Sequence, residues 1–214
     1  MVQNASKLSY KYNIFGFNII SEIPVICFDE SKFETEPDIY IKIGETPENI
    51  NNKLQEGTFY QASENDFLLK IPYNANFYIK NGKEVTVEPF KNVKIEELST
   101  FISGRILGIL LHQRKLNPIH GGAIRYKEKV IAFPGISGAG KSTIITAMSL
   151  KGAELISDDL LLFSFDDNSI KLVPSFPYVK LWEDSLKYLK IQNKDKLIKV
   201  RKEIGKYYYR INNF

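Results

Sequence analysis

One cysteine, Cys27, stands in 214 residues, so no intrachain disulfide framework exists and a reducing, cytoplasmic setting is expected. Long apolar runs are also missing. The richest stretch, Ile102 to Leu111, contains Arg105 and falls well short of the roughly 20 residues that a membrane helix needs. The N-terminal MVQNASKLSYKYN has no apolar core of the secretory type, and a soluble protein with no membrane partner is expected. The 29 lysines and arginines barely outnumber the 25 acids, and the two signs are interspersed, which leaves no nucleic-acid footprint. No internal repeat and no Gly-, Ser- or Pro-rich linker is present. With 43% hydrophobic residues, the chain can bury a sizeable core in one large domain or two small ones.

The first ninety or so residues read as strands and turns: YKYNIFGFNII, DIYIKIG and FLLKIPY. In FYIKNGKEVTV, Asn81-Gly82 can take the positive φ angles of a type I′ turn, which predicts a hairpin. From Val93 to about Lys115 the period changes. Ile95, Leu98, Ile102, Ile106, Ile109 and Leu110 recur at helical intervals, and Gly104 and Gly108 would admit a close neighbour. Asn117-Pro118 breaks this helix. A second region then starts with a short strand near Ala123 to Tyr126, a charged turn at Lys127 to Lys129 and the apolar run Val130 to Phe133. The expected organisation is a β-rich module over 1–115 that ends in the helix, followed by a second domain over 116–214, with the helix as the joint.

The segment GISGAGKST fits the phosphate-binding pattern G-x-x-x-x-G-K-S/T (Walker A) with Gly135, Gly140, Lys141 and Ser142. Its context matters more than the pattern. The apolar VIAF precedes it, and TIITAMSLKG reads as a short helix stopped by Gly152. Glycines in such a loop leave backbone N–H groups free to face phosphate oxygens, and the helix N-terminus adds positive potential. The nucleotide-binding set expected is Gly135, Ser137, Gly138, Ala139, Gly140, Lys141, Ser142 and Thr143. Lys141 supplies a point charge for the β- and γ-phosphates, and the Ser142 hydroxyl suits magnesium. Thr143 is expected to cap or pack.

In AELISDDLLLF an apolar strand delivers Asp158 and Asp159 to its end, where two carboxylates can divide the work of phosphoryl transfer. Asp158 is the candidate base and Asp159 the candidate magnesium ligand. Asp166-Asp167 reads as a plain hairpin turn between LLLFSF and IKLV. His120, before Gly121-Gly122, reads on spacing alone as a turn histidine, with a phosphate-contacting role as the alternative. His112, near a helix C-terminus, is read as structural.

The order IHGGAI, AFPGISGAGKST, ELISDDLLLF resembles the catalytic domain of HPr kinase/phosphorylase and its relatives, bacterial serine kinases built around a phosphate loop. The upstream FGFNIISEIP, the hairpin, GILLHQRKLNPIH and the later PYVKLWEDSLKYL are similar to smaller HPr-kinase-related proteins, some of which phosphorylate peptide precursors of lasso peptides. The resemblance implies an α/β fold, with an HPr-kinase-like P-loop domain after a β-rich N-terminal module. It maps the family's histidine and aspartate-pair roles onto His120, Asp158 and Asp159, so that His120 and Asp158 join Lys141 as the expected catalytic residues, and it reverses the reading of His120 as a turn residue. Thr143 stands where HPr kinase proper has an acidic residue, which speaks against phosphorylase activity. The catalytic domain is expected to be short or truncated after KVRKEIGKYYYRINNF.

Trp182 and Tyr207 to Tyr209 are read as packing rather than as an acceptor groove. Lys194, Lys196, Lys199, Arg201, Lys202 and Arg210 are read as a solvated face from which one cation could reach phosphate. The expected activity is transfer of the γ-phosphate of magnesium-bound ATP to a Ser or Thr hydroxyl of a peptide or small protein. A small-molecule kinase and a non-catalytic nucleotide-binding regulator are the alternatives, and self-association is left open.

Overall fold

Asn81 and Gly82 take φ angles of 55° and 60°, the left-handed pair of a type I′ turn, and the flanking arms alternate buried with more exposed residues. That hairpin belongs to a computed structural model that describes residues 9–166, 169–192, 196–201 and 203–214. The architecture is a β-rich mixed α/β fold, and the chain divides into two compact units after Leu116.

In the first unit, strands β1 (Tyr10–Ile14), β2 (Phe17–Ser21), β3 (Ile39–Ile43), β4 (Gln55–Gly57), β5 (Tyr60–Ala62), β6 (Asp66–Ile71), β7 (Ala75–Lys80) and β8 (Glu84–Pro89) form one sheet. Its order is β1-β2-β3-β8-β7-β6-β5-β4. Strand β3 runs parallel to both its neighbours, and the other pairs are antiparallel. Because side chains alternate faces, Ile41 opposite Val85 and Phe77 opposite Val87 build one continuous apolar surface.

Helices α1 (Ile95–Phe101) and α2 (Leu107–Gln113), joined through the π turn Ile102–Ile106, pack within this unit. The Phe101 ring lies 5.9 Å from Phe77, and the Ile26 amide donates to Ser99 Oγ at 2.7 Å. A π turn admits an extra residue, which rotates the helical face beyond it. Leu98, Ile102, Ile106 and Leu110 are buried, whereas Ile95 and Ile109, expected on the same face, are exposed and half-exposed. At the helix end Gln113 Oε1 accepts from the Gly82 amide at 2.8 Å, and Arg114 Nε donates to the Gly82 carbonyl at 2.8 Å. The hairpin tip is thereby clamped to the helix.

The second unit contains β9 (Ile119–Tyr126), β10 (Lys129–Pro134), α3 (Lys141–Ser149), β11 (Glu154–Ser157), β12 (Leu160–Asp166), β13 (Ser169–Val173), β14 (Tyr178–Trp182), α4 (Glu183–Tyr188), β15 (Ile198–Lys199) and β16 (Lys206–Arg210). Strand β9 has β10 along one side and β11 and β12 along the other, all antiparallel to it. Strand β13 pairs antiparallel with β12, with Asp166 ending β12 opposite Ser169; Asp167, expected in the turn, lies outside the described residues. A second sheet has the order β14-β16-β15. Ile124, Leu155 and Ile145 of α3 meet Val179, Leu181 and Tyr207 in the main core, while the adjacent Ala123 and Ile156 face the other way with Leu161. Gly152, at φ 96°, ends α3, and the Ala153 amide donates back to Met148 O at 3.0 Å.

His120 lies within β9, not in a turn ahead of a strand starting near Ala123. Gly121 and Gly122 extend the strand because their missing side chains permit close approach. A Cβ on Gly121 would lie 2.8 Å from the Phe133 carbonyl oxygen and 2.8 Å from Leu161 Cδ1. Among the described residues, no helix is long and apolar enough to cross a membrane.

Because one of the two nearest obstacles is the backbone of a neighbouring strand, Gly121→Ala should destabilise the second unit by about 1–3 kcal/mol. Urea denaturation measures this, and an unchanged midpoint would show that β9 and β10 separate freely.

Candidate active site

Two strands antiparallel to a common partner run in the same direction, so the C-terminal ends of β10 and β11 both emerge beside the start of β9. The glycine loop leaves from β10, the Asp158-Asp159 pair leaves from β11, and His120 sits at that end of β9. Backbone bonds fasten the junction. The Gly135 amide donates to His120 O at 3.3 Å, and the Gly121 amide to Asp159 O at 3.3 Å.

Gly138 and Gly140 have φ of 87° and 84°, and a Cβ at either would meet nothing within 4 Å. Glycine is demanded there by the backbone and not by crowding, and the space above the loop is open. Gly140 is the cap of α3, whose first residue is Lys141. Lys141 Nζ donates to Gly135 O at 2.9 Å and Ile136 O at 2.7 Å, and lies 3.2 Å from His120 Nε2. His120 Nδ1 is 2.9 Å from Asp159 O, which can only accept. The proton therefore belongs on Nδ1, leaving Nε2 to accept from the lysine.

Ser142 Oγ lies 3.0 Å from each oxygen of Asp158, to which it donates. Asp158 is 3% exposed and also accepts from the Lys180 amide at 3.4 Å. Burial, reinforced by the neighbouring Asp159 charge, raises its carboxyl to about 6 against the bonds from Ser142 and Lys180. Asp159 feels burial too, but Lys180, with Lys206 adding to it, outweighs it and holds its carboxyl below the ordinary value. Lys180 Nζ donates to Asp159 Oδ2 at 2.8 Å, so one lysine touches both carboxylates, through its amide and its side chain. Asp159 has φ 74°, a left-handed conformation uncommon outside glycine, asparagine and aspartate.

These groups surround a cavity of about 140 Å³. Ser137, Gly138, Gly140, Lys141, Ser142, Thr143, His120, Asp158 and Asp159 line it, whereas Gly135 and Ala139 do not. Gly135 contributes through its carbonyl bond to Lys141. Thr143 Oγ1 shares a 2.8 Å hydrogen bond with Ser185 Oγ of α4. The volume is below the roughly 300 Å³ at the small end of ligand pockets and suits a phosphate chain better than a whole nucleotide.

Lys180, Leu181, Trp182, Ser185 and Lys206 complete the lining, and no catalytic motif in the sequence marks the two lysines or the serine. The alternation in YVKLW, with Val179 and Leu181 buried, does set Lys180 on the face shared with Trp182. Trp182 is half-exposed at the cavity, contrary to its reading as packing, while Tyr207 and Tyr208 are core residues. Of the basic stretch, Lys196, Lys199, Arg201 and Arg210 are exposed and do not line the cavity; Lys194 and Lys202 lie outside the described residues.

Ser142 and Asp158 offer two hard oxygen donors side by side. That set fits magnesium, which keeps several waters and takes few protein ligands beside phosphate oxygens. No family model, characterised protein or solved structure matches the chain.

Asp158 has a measurable signature in stability. Its folded value, about 6, exceeds the ordinary 3.8, so the native state holds the proton more tightly than the unfolded chain. Its contribution is therefore intact below about pH 4 and lost as pH rises to about 6. The stability difference between wild type and Asp158→Asn should shift against wild type by on the order of 2–3 kcal/mol across that window and stay flat above it. Denaturation at a series of pH values reads the difference; a flat difference throughout would refute the raised carboxyl.

Proposed function

We propose that the second unit binds magnesium-bound ATP and transfers its γ-phosphoryl group to a Ser or Thr hydroxyl on a peptide or small protein. The observation that carries this reading is the meeting, at one sheet edge, of an open glycine loop, a lysine at a helix start and two carboxylates in opposite electrostatic states. An unligated turn has no use for that combination. The choice of a peptide hydroxyl as acceptor rests on the resemblance to HPr-kinase-related peptide kinases.

Loop amides around Gly138 and Gly140, with the α3 N-terminus, cradle the phosphates. Lys141 exchanges its carbonyl partners for β- and γ-oxygens while His120 steers its ammonium. Ser142 and Asp158 together hold magnesium, which when bound neutralises charge on the phosphate oxygens. This exchanges the roles expected for the two aspartates, because the hydroxyl of Ser142 is bonded to Asp158 while Asp159 is paired with Lys180. Asp159 orients the acceptor hydroxyl and takes its proton as the new O–P bond forms and the bond to the β-phosphate oxygen breaks, releasing ADP. Lys180, bonded to both carboxylates, keeps their spacing.

Lys141→Ala should abolish thermal stabilisation by magnesium-bound ATP, read by melting temperature. Phosphoryl transfer to candidate peptides, followed by mass spectrometry, divides the aspartates. Asp159→Asn is expected to lower kcat by roughly 10²–10⁴-fold with an unchanged magnesium requirement, and Asp158→Asn to raise that requirement. Full transfer by Asp159→Asn would sink the assigned base, and nucleotide binding without transfer to any acceptor would leave a regulator instead of a kinase.

A further inference from the structure

Lys206 opens β16 directly opposite Trp182 of β14 in the antiparallel register. Its Nζ lies 5.5 Å from the indole ring, and the residue lines the same cavity as Lys141 and the two aspartates. Three lysines line that cavity, and two are already engaged. Lys141 is held by two loop carbonyls and His120, and Lys180 is paired with Asp159. The other carboxylate, Asp158, is occupied by Ser142.

Among the described residues, Lys206 has the Trp182 ring but no carboxylate or carbonyl partner for its ammonium. A half-buried cation without an anionic partner is costly unless a ligand supplies one. Burial lowers its pKa, with Lys180 and Lys141 adding to the effect and the aspartates opposing it. The wall formed by Asp158 and Asp159 is also where a terminal phosphate would meet an acceptor hydroxyl. With Asp158 given to magnesium and Asp159 paired with Lys180, a terminal phosphate that itself carries nearly two negative charges has only the ion and the shared Lys141 to answer it unless Lys206 reaches it.

We propose that Lys206, steadied against Trp182, is the second lysine of the phosphate site and binds the terminal phosphate of the triphosphate. The assignment rests on the nucleotide reading of the loop and adds a discriminating element to it. Lys141 with the loop spans the β- and γ-phosphates, whereas Lys206 contacts only the terminal group, which ATP carries and ADP lacks. The same contact would stabilise charge on the phosphoryl group during transfer.

Trp182 is the single tryptophan of the chain, so its emission reports on the contact directly. The test compares wild type, Lys206→Met, Lys206→Arg and Lys141→Ala, with calorimetric titration of a non-hydrolysable ATP analogue and of ADP, each with magnesium, and indole fluorescence alongside. Methionine keeps the aliphatic packing on the indole and removes the charge, so the fold should hold, which melting temperature verifies.

Lys206→Met should weaken the ATP analogue about tenfold or more while ADP changes by less than about twofold. Lys206→Arg should retain the preference, and wild-type indole emission should respond to the ATP analogue but not to ADP. Equal weakening of both nucleotides, or of neither, overturns the assignment. Unaltered nucleotide affinities with a raised KM for the peptide would also overturn it, in favour of an acceptor contact. If Lys141→Ala loses binding while Lys206→Met binds like wild type, only the Lys206 assignment falls. If wild type binds neither nucleotide, the reading of the loop falls with it.

Discussion

Every strand that β9 touches runs against it, and the placement of the charged groups in the second unit is a consequence of that pairing. Parallel exit of the loop and the aspartate turn is a geometric result of sharing one antiparallel partner. The pairing is tight only because Gly121 and Gly122 carry no side chains where the Phe133 carbonyl and Ile145 press against β9. A glycine pair that locally resembles a chain breaker is what lets three distant segments share one edge. His120 gains its position from the same strand, and both its neighbours along the edge bond to β9 backbone.

The electrostatics repeat that logic at the level of single groups. Two adjacent carboxylates in one small cavity cannot be served alike, and the second sheet differentiates them. Its strand β14 presents the Lys180 amide to Asp158 and the Lys180 ammonium to Asp159. One aspartate is thereby left with neutral donors in a buried setting, and the other is held as an anion. Separation of this kind gives two neighbouring carboxylates different proton affinities within one cavity.

Local signals in the sequence were readable wherever local geometry decides the outcome. Asn81-Gly82 forms its turn, Gly152 stops α3, and the GISGAGKST segment joins a strand to a helix because glycine φ angles and apolar periodicity act over a few residues. The π turn at Ile102–Ile106 has no such signal, and it displaces Ile109 from the buried face. Lys180 and Lys206 escape a sequence reading for a different reason. Each looks like an ordinary exposed lysine of an alternating strand until β14 and β16 pair and bring that face to the aspartate turn. The reading of Trp182 as packing fails at the same non-local step, since burial is the sound default for an aromatic side chain.

The left-handed backbone of Asp159 also limits how the sequence can drift. At φ 74° glycine and asparagine fit with little strain, and branched side chains are excluded. Both easy replacements discard the carboxylate while preserving the turn. Backbone shape and charge thus converge on one residue type, and the mutational path of least resistance out of this position leads to a folded protein with its site intact in outline and one negative charge short.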